Sequence, residues 1–559
     1  MKNLRLPSFH HQLKYDFIKE ILTGKVFSLN TDTANLYEYE DTCRHIFFSK
    51  IDYVNAFPDI RAVWEPARLQ HCTILLAYAL EEKEISKIKQ LKQFVKHAIL
   101  QWINSNPFLL GPHYISSMEC GLRIPVLFYY LRFIDTLLSS EYELIIKTIY
   151  LHAWWISKRL SLYSSLGNHT IAESVGLIFA GVIFKRTRKG KQWLETGFNL
   201  LSTETEHQIL NDGGPIEQSF CYHRFILDLY WLTVGFLEKN NIFDCSRIKQ
   251  RLILGENFLN FFIRENSNMP SIGDSDESHA VAPEVFPHRL GSDIIKKKKY
   301  YYKIFPDSGY TVIRCRTNAL FTFDHGPLGM PPLYNHGHAD ALSVTLSIDG
   351  EQILVDPGTY KYNDELEFRK YFKGTRAHNT VTIDGKDQAI QETSFIWSKP
   401  YNTKLIRCCD EKEGLLCEAF HDGYARLKEQ VWHKRAIFFF EGAHFIIKDF
   451  FTGKGVHDFE LNYHLHPEAV VKRVDKWWQI SKAGHKIFIK SIGEYHLAYI
   501  YGCNNPLLGW YSPTYGIKKK SGVLHCVRRG YPGEISFITA ICIGLPANED
   551  RFIELAMRK

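Results

Sequence analysis

The stretch NHGHADALS, Asn335 to Ser343, sets His336 and His338 one residue apart, with Asp340 two further on and the alternating run LSVTLSI directly behind. Residues two apart on a strand project to the same side, so both imidazoles can address one site if the strand has begun there. Downstream, Asp356 stands in VDPGTY and His378 in GTRAHNTVTIDG, each next to a further strand pattern. A hairpin through Asp349-Gly350 would return Asp356 to the neighbourhood of His338. Neutral imidazoles with a carboxylate form a donor set for a divalent transition metal, zinc first by ligand type. The plainer alternative is a hydrogen-bonded histidine pair and an aspartate that only shapes the turn before Pro-Gly.

Two other clusters carry chemistry-bearing groups. In SSLGNHTIAESVGLIFAG, Thr170 and Glu173 have capping-box spacing ahead of an apolar helix. That leaves Asn168 and His169 at the positive end of the helix, where an amide and an imidazole could receive a carboxylate. In DGGPIEQSFCYHRFILDLY, Gly213-Gly214-Pro215 predicts a turn followed by a helix start, with Pro215 early and Glu217 in the first turn. On that helix Gln218 and Tyr222 would share a face. For any one tyrosine among 30, a packing role is the simpler account.

These groups need elements to position them. From about residue 60 to 265, segments such as LKQFVKHAILQWI and FILDLYWLTVGFLEK repeat apolar residues at helical spacing, and seven or more follow one another. Such a succession of paired helices suits a helical barrel or toroid. After KKKKYYYKIFPDSGY the texture turns to short alternating runs with Asp-Gly turns at 349–350, 384–385 and 422–423. The predicted architecture is therefore α+β and multidomain: a helical domain over 1–295 and an antiparallel β-sandwich over 296–559. At 559 residues, 45% hydrophobic and 14% aromatic, the chain has material for two cores.

The net charge of +7 is mild, and the basic clusters Lys185–Lys191 and Lys296–Lys299 are either solvated loops or a means of steering an acidic polymer. No nucleic-acid-binding motif is present, and Val175–Phe184 is too short an apolar run to span a bilayer. The start MKNLRLPSFHHQLKYDF has no apolar signal core, and twelve cysteines at irregular spacing suggest neither a disulfide framework nor a zinc knuckle. Both point to the cytoplasm, with a separate export route left open. Oligomeric state is not legible.

Taken in order, GNHTIAES, DGGPIEQSFCYH, NHGHADALS with DPGTY behind it, and RAHNTV resemble the heparinase II/III-like polysaccharide lyases. The resemblance implies an (α/α) toroid followed by an antiparallel β-sandwich, with the active site in the cleft between them. It implies β-elimination at a uronic acid of an acidic polysaccharide, whether a glycosaminoglycan (hyaluronan, chondroitin, heparan sulfate) or alginate. Asn168 and His169 match the residues that neutralise the uronate carboxylate. Tyr222 matches the catalytic tyrosine, and His336 a catalytic histidine that acts as base or supports Tyr222. Glu217, Gln218 and Arg376 are weaker matches for substrate contact. The metal site maps onto His338, Asp356 and His378 in a structural role, with zinc first and manganese or calcium left open. Where spacing put both histidines in one metal site, the resemblance separates them. Many lyases of this type are secreted, so the lack of a signal pattern raises a role on polymer inside the cell or in polysaccharide assembly. The other classes weighed are a glycoside hydrolase using Glu173, Glu217 or Asp212 as its carboxylates, a non-catalytic polysaccharide-binding or assembly protein, and, remotely, a cupin-like oxygenase.

Overall fold

A computed structural model describes residues 4–6, 9–11, 13–23, 33–53, 58–134, 137–264, 269–289, 301–315, 317–544 and 549–557. It resolves into two compact units. The first comprises Met1–Ile209, Tyr222–Glu256 and Glu277–Gly291, and the second Leu210–Cys221, Asn257–Asp276 and Ser292–Lys559. The predicted boundary at 295/296 and the Lys296–Lys299 cluster lie outside the described residues.

Helices run through the N-terminal half: α1 (Tyr15–Leu22), α2 (Thr33–Cys43), α3 (Ile60–Ala67), α4 (Gln70–Glu81), α5 (Ile85–Ser105), α6 (Ser117–Phe133), α7 (Ser139–Lys158), α8 (Asn168–Ile183), α9 (Arg188–Gln208), α10 (Phe220–Lys239) and α11 (Ser246–Phe262). Among the described residues none is long and apolar enough to cross a membrane. Helix α5 shows the amphipathic rule that drives this packing: Leu91, Val95, Ile99 and Ile103 recur every four residues and are buried, while the lysines between them are not. Helices α6 and α8 are buried nearly all round, and they touch backbone to backbone. A Cβ on Gly121 of α6 would stand 2.4 Å from the Ala172 carbonyl oxygen, and one on Gly176 would stand 2.7 Å from the Gly121 Cα. Two glycines at the crossing thus fix where the N-terminus of α8 stands.

The C-terminal half is antiparallel sheet. A five-stranded meander runs in chain order from Tyr301–Phe305 to Glu351–Leu354. Its last hairpin turns at Asp349-Gly350, both at positive φ (48° and 84°), as its Asp-Gly pair predicts. An eight-stranded sheet takes the order Thr403–Glu411, Gly414–His421, Val431–Phe440, His444–Gly453, Ser536–Ile543, His485–Ser491, Trp477–Lys482 and Val470–Val474. A four-stranded sheet joins Ala498–Tyr501, Gly522–Gly530, His457–His464 and Val381–Ile383. The core forms where their apolar faces meet; Phe321 of the meander stacks on Phe445 of the large sheet at 4.2 Å between ring centroids. Burying each such side chain contributes about 1.5–3 kcal/mol. Helix α12 (Leu366–Lys373) also belongs to this unit. Cys408 and Cys417, opposite each other on neighbouring strands, are disulfide-bonded. Irregular cysteine spacing concealed that bond because strand register, not sequence interval, brings the two sulfurs together.

Candidate active site

In the helical unit, Asn168 and His169 are the first two residues of α8, with Asn168 buried and His169 half-buried. The predicted capping box does not form. Helix α8 begins two residues before Thr170, which therefore sits inside the first turn, and its hydroxyl donates to the Ser161 carbonyl at 2.5 Å. The Glu173 carboxylate instead accepts from Ser161 N (2.8 Å), Ser161 Oγ (2.7 Å) and Ser117 Oγ (2.6 Å). Burial pushes its carboxyl up to about 7 against those hydrogen bonds.

Tyr222 lies in the first turn of α10 and is buried. Arg68, at the C-terminal end of α3, is within electrostatic reach of it, and Glu119 is within reach of His169. The Arg68 guanidinium donates to Glu119 twice (2.9 and 2.8 Å) and to Glu65 (2.6 Å). Burial alone would raise the Glu119 carboxyl, but Arg68, Arg123 and His169 outweigh it and hold the group below the ordinary carboxylate range. Nothing in the periodicity of the sequence marks Arg68 or Glu119.

The helix predicted to start at Pro215 starts at Phe220. Asp212 ties the preceding chain into a loop: its Oδ1 accepts from Gly214 N (3.0 Å), and its Oδ2 from Asp307 N (2.8 Å) and Ser308 N (2.8 Å). Gln218 therefore sits outside the helix at φ 53° and does not share a face with Tyr222. Its amide donates to the Pro215 and Ser308 carbonyls, both at 3.1 Å. Glu217 is buried in the same loop. Arg376, on the short turn Thr375–Ala377, forms a bidentate pair with Glu460 through Nε (2.9 Å) and Nη2 (2.8 Å).

The condition for same-side projection is not met: the strand has not begun at His336–His338 and starts at Val344. The two imidazoles are in a loop and meet through a residue the sequence did not single out. Asp274, fully buried, accepts from His336 Nδ1 at Oδ2 and from His338 Nε2 at Oδ1, each at 3.1 Å. Arg369 of α12 grips the same two oxygens at 2.5 and 3.0 Å. Burial would raise this carboxyl, but Arg369 and the two imidazoles hold it well below the usual range. Gly337 between the histidines admits no side chain, since a Cβ there would overlap the Leu328 carbonyl oxygen at 1.5 Å. Trp397 Nε1 donates to the Gly337 carbonyl (3.0 Å) and the Tyr401 hydroxyl to that of His338 (3.2 Å).

His338, Asp356 and His378, the set implied by the resemblance, each offer a ligand atom, all within 4.8 Å of one another. His338 Nδ1, Asp356 Oδ1 and His378 Nε2 are buried without a hydrogen-bond partner, and orphaned atoms of this kind are rare in a folded interior. The second nitrogen of each imidazole is held by a carboxylate, His338 by Asp274 and His378 by Asp356 (2.9 Å). That is the arrangement by which metal-ligating histidines are oriented. Arg435 reinforces it by donating to the Leu342 and Asn379 carbonyls (2.7 and 2.6 Å), and the Asn379 amide by bridging those of Val344 and Val355.

Comparison with known proteins bears on both halves. Residues 81–281 match the heparinase II/III N-terminus model, and residues 297–535 the heparinase II/III-like C-terminal model. The heparin-sulfate lyase of Bacteroides stercoris is 22% identical over 423 residues, 68% of this chain and 58% of that protein. That of Pedobacter heparinus is 22% identical over 409 residues, again 58% of its length, so the chain spans little more than half of these relatives. Among solved structures, a heparinase III superposes with a TM-score of 0.65 at 14% identity, covering 96% of this chain and 92% of that one. The heparan sulfate lyase of Pedobacter heparinus gives 0.58 at 16% identity, over 96% and 88%. At such identities the superpositions speak to fold, and the helical unit and antiparallel sheets fit a toroid followed by a sandwich. With both the N-terminal and the C-terminal models matched in order, the chain belongs to the heparinase II/III-like family.

Proposed function

We propose that this protein is a polysaccharide lyase that cleaves a uronate-containing glycosaminoglycan, heparan sulfate first, by β-elimination. The observation that carries the proposal is the pairing of His336 with the buried Asp274. A histidine whose Nδ1–H donates to a carboxylate presents Nε2 as its basic nitrogen, and the carboxylate stabilises the imidazolium formed when that nitrogen takes a proton. The proton to be taken is the one on C5 of the uronate, which is very weakly acidic beside a charged carboxylate. Asn168 and His169, at the positive end of α8, are assigned to that carboxylate, so that enolate-like charge can develop on it. As the C4–O bond breaks and the C4–C5 double bond forms, Tyr222 gives its proton to the leaving oxygen. Arg68, within reach of Tyr222, favours the phenolate left behind.

His338, Asp356 and His378 would hold a divalent metal, with zinc favoured by two imidazoles and one carboxylate. When bound it supplies a cross-link between the segments that carry these three residues, one of which presents His336.

The test is incubation with heparan sulfate, chondroitin, hyaluronan and alginate, followed by ultraviolet absorbance of the unsaturated product and its mass. Elimination adds no water, whereas hydrolysis does. Loss of product formation in Tyr222→Phe with an unchanged melting profile is expected; full activity in that variant, or a hydrolytic product, would sink the assignment.

A further inference from the structure

The second unit holds a cavity of 770 Å³ whose lining includes Arg376, matched above to substrate contact, while its other lining residues have no role assigned above. Its size falls within the range of about 300–1,000 Å³ that small-molecule sites span. Five cationic side chains line it against two acidic ones, Glu367 and Asp387. Arg376 is already matched by Glu460. Lys370, Lys386 and Lys399 are exposed, and among the described residues none has a carboxylate at ion-pair distance. Arg426 donates to the carbonyls of Asp387, Gln388 and Gly423 and likewise has no acidic partner there. Asp387 is consumed by Thr375 N and Gln391 Nε2, both at 2.8 Å.

Two of the lining residues also carry a buried polar atom without a partner. Thr382, 1% exposed, has a hydroxyl with no hydrogen-bond partner, and Gln391 Oε1 is buried in the same state. Lys370, Lys386, Lys399 and Arg426, offset in the lining only by Glu367 once Asp387 is consumed, leave an excess of positive charge that suits a ligand bringing acceptor oxygens and negative charge together. We infer that this cavity is a subsite for a sulfated segment of a glycan chain. The choice of a glycan over another polyanion rests in part on the proposed function, and in part on the walls. Tyr371 is the one aromatic residue among them, it is buried, and its hydroxyl accepts from Gly509 N (3.1 Å) and Trp510 N (3.3 Å). It offers no face on which a nucleic-acid base could stack.

The probe is size-defined dextran sulfate, which carries sulfate but no uronate and so cannot be eliminated, titrated calorimetrically into the full chain with unsulfated dextran alongside. Dextran sulfate should bind and dextran should not. Lys370→Ala/Lys386→Ala/Lys399→Ala, which alters only exposed side chains, should weaken binding by about tenfold or more. Binding unchanged in the triple variant, or single-stranded DNA of matched charge bound as tightly as dextran sulfate, would overturn the subsite. Lysine-dependent binding without cleavage of any uronate polymer would support the subsite and remove the elimination chemistry. Cleavage with binding indifferent to the lysines would do the reverse.

Discussion

The pair Asn168-His169 and the pair His336/His338 are held by opposite means. The first stands on the opening turn of a regular helix whose place is set by glycine-to-backbone contact with α6. The second sits in a loop with no regular structure, and its geometry comes from Asp274, 62 and 64 residues away, and from Arg369, which is 95 residues from Asp274. Helical register needs only local sequence and a close neighbour. A loop needs buried charge, fully matched, to choose one conformation.

Asp274→Ala should break the second arrangement most severely. It leaves Arg369 and two imidazoles buried around a void, a class of change that costs about 3–5 kcal/mol, read as a lower melting temperature. Unaltered stability would mean that the carboxylate does not organise the loop. Next, His336→Ala and His338→Ala should part company. The former should lower turnover by about 10²–10⁴-fold and keep any bound metal, and the latter should lose metal, measured by elemental analysis, together with stability. Equal metal loss in both would merge the two histidines into one site.

The helical unit is probed by acidity. Glu173 has its folded pKa raised from 4.5 to about 7, so the unfolded chain releases its proton first. Stability should therefore be highest below about pH 4.5 as far as this group is concerned, fall by up to about 3 kcal/mol as pH rises to about 7, and level off above that. Glu173→Gln should flatten that slope in denaturant titrations at several pH values; an unchanged slope would place its origin elsewhere. Smallest, Gly121→Ala should cost about 1–3 kcal/mol by forcing α6 and α8 apart. A neutral result by chemical denaturation would show that the crossing can relax.

The same contrast explains what was legible in the chain. Helices and the Asp349-Gly350 hairpin follow from periods and turn residues, which are local. Residue types and strand patterns proposed a metal site but grouped His336 with His338; the set His338, Asp356 and His378, whose ligand atoms lie together, came from the family resemblance. Asp274 was not legible, because it lies in the acidic, aperiodic run GDSDESH and acquires meaning only when His336, His338 and Arg369 surround it. Thr170 and Glu173 matched a familiar interval, but the helix start moved and tertiary partners at Ser117 and Ser161 claimed them. Gln218 was misplaced onto a helix because Pro215 reads as an early helical residue, whereas Asp212 holds that segment to the Asp307-Ser308 backbone.

Asp274 also sets a timetable. Two distant stretches of chain, the His336–His338 loop and α12, must converge on the Asp274 carboxylate before His336 has its tautomer fixed, and contacts of such long sequence separation form slowly. Helical ellipticity should thus return early in refolding and the proposed cleavage of polymer late, so that the proposed activity would serve as a clock for the last docking event rather than for secondary structure.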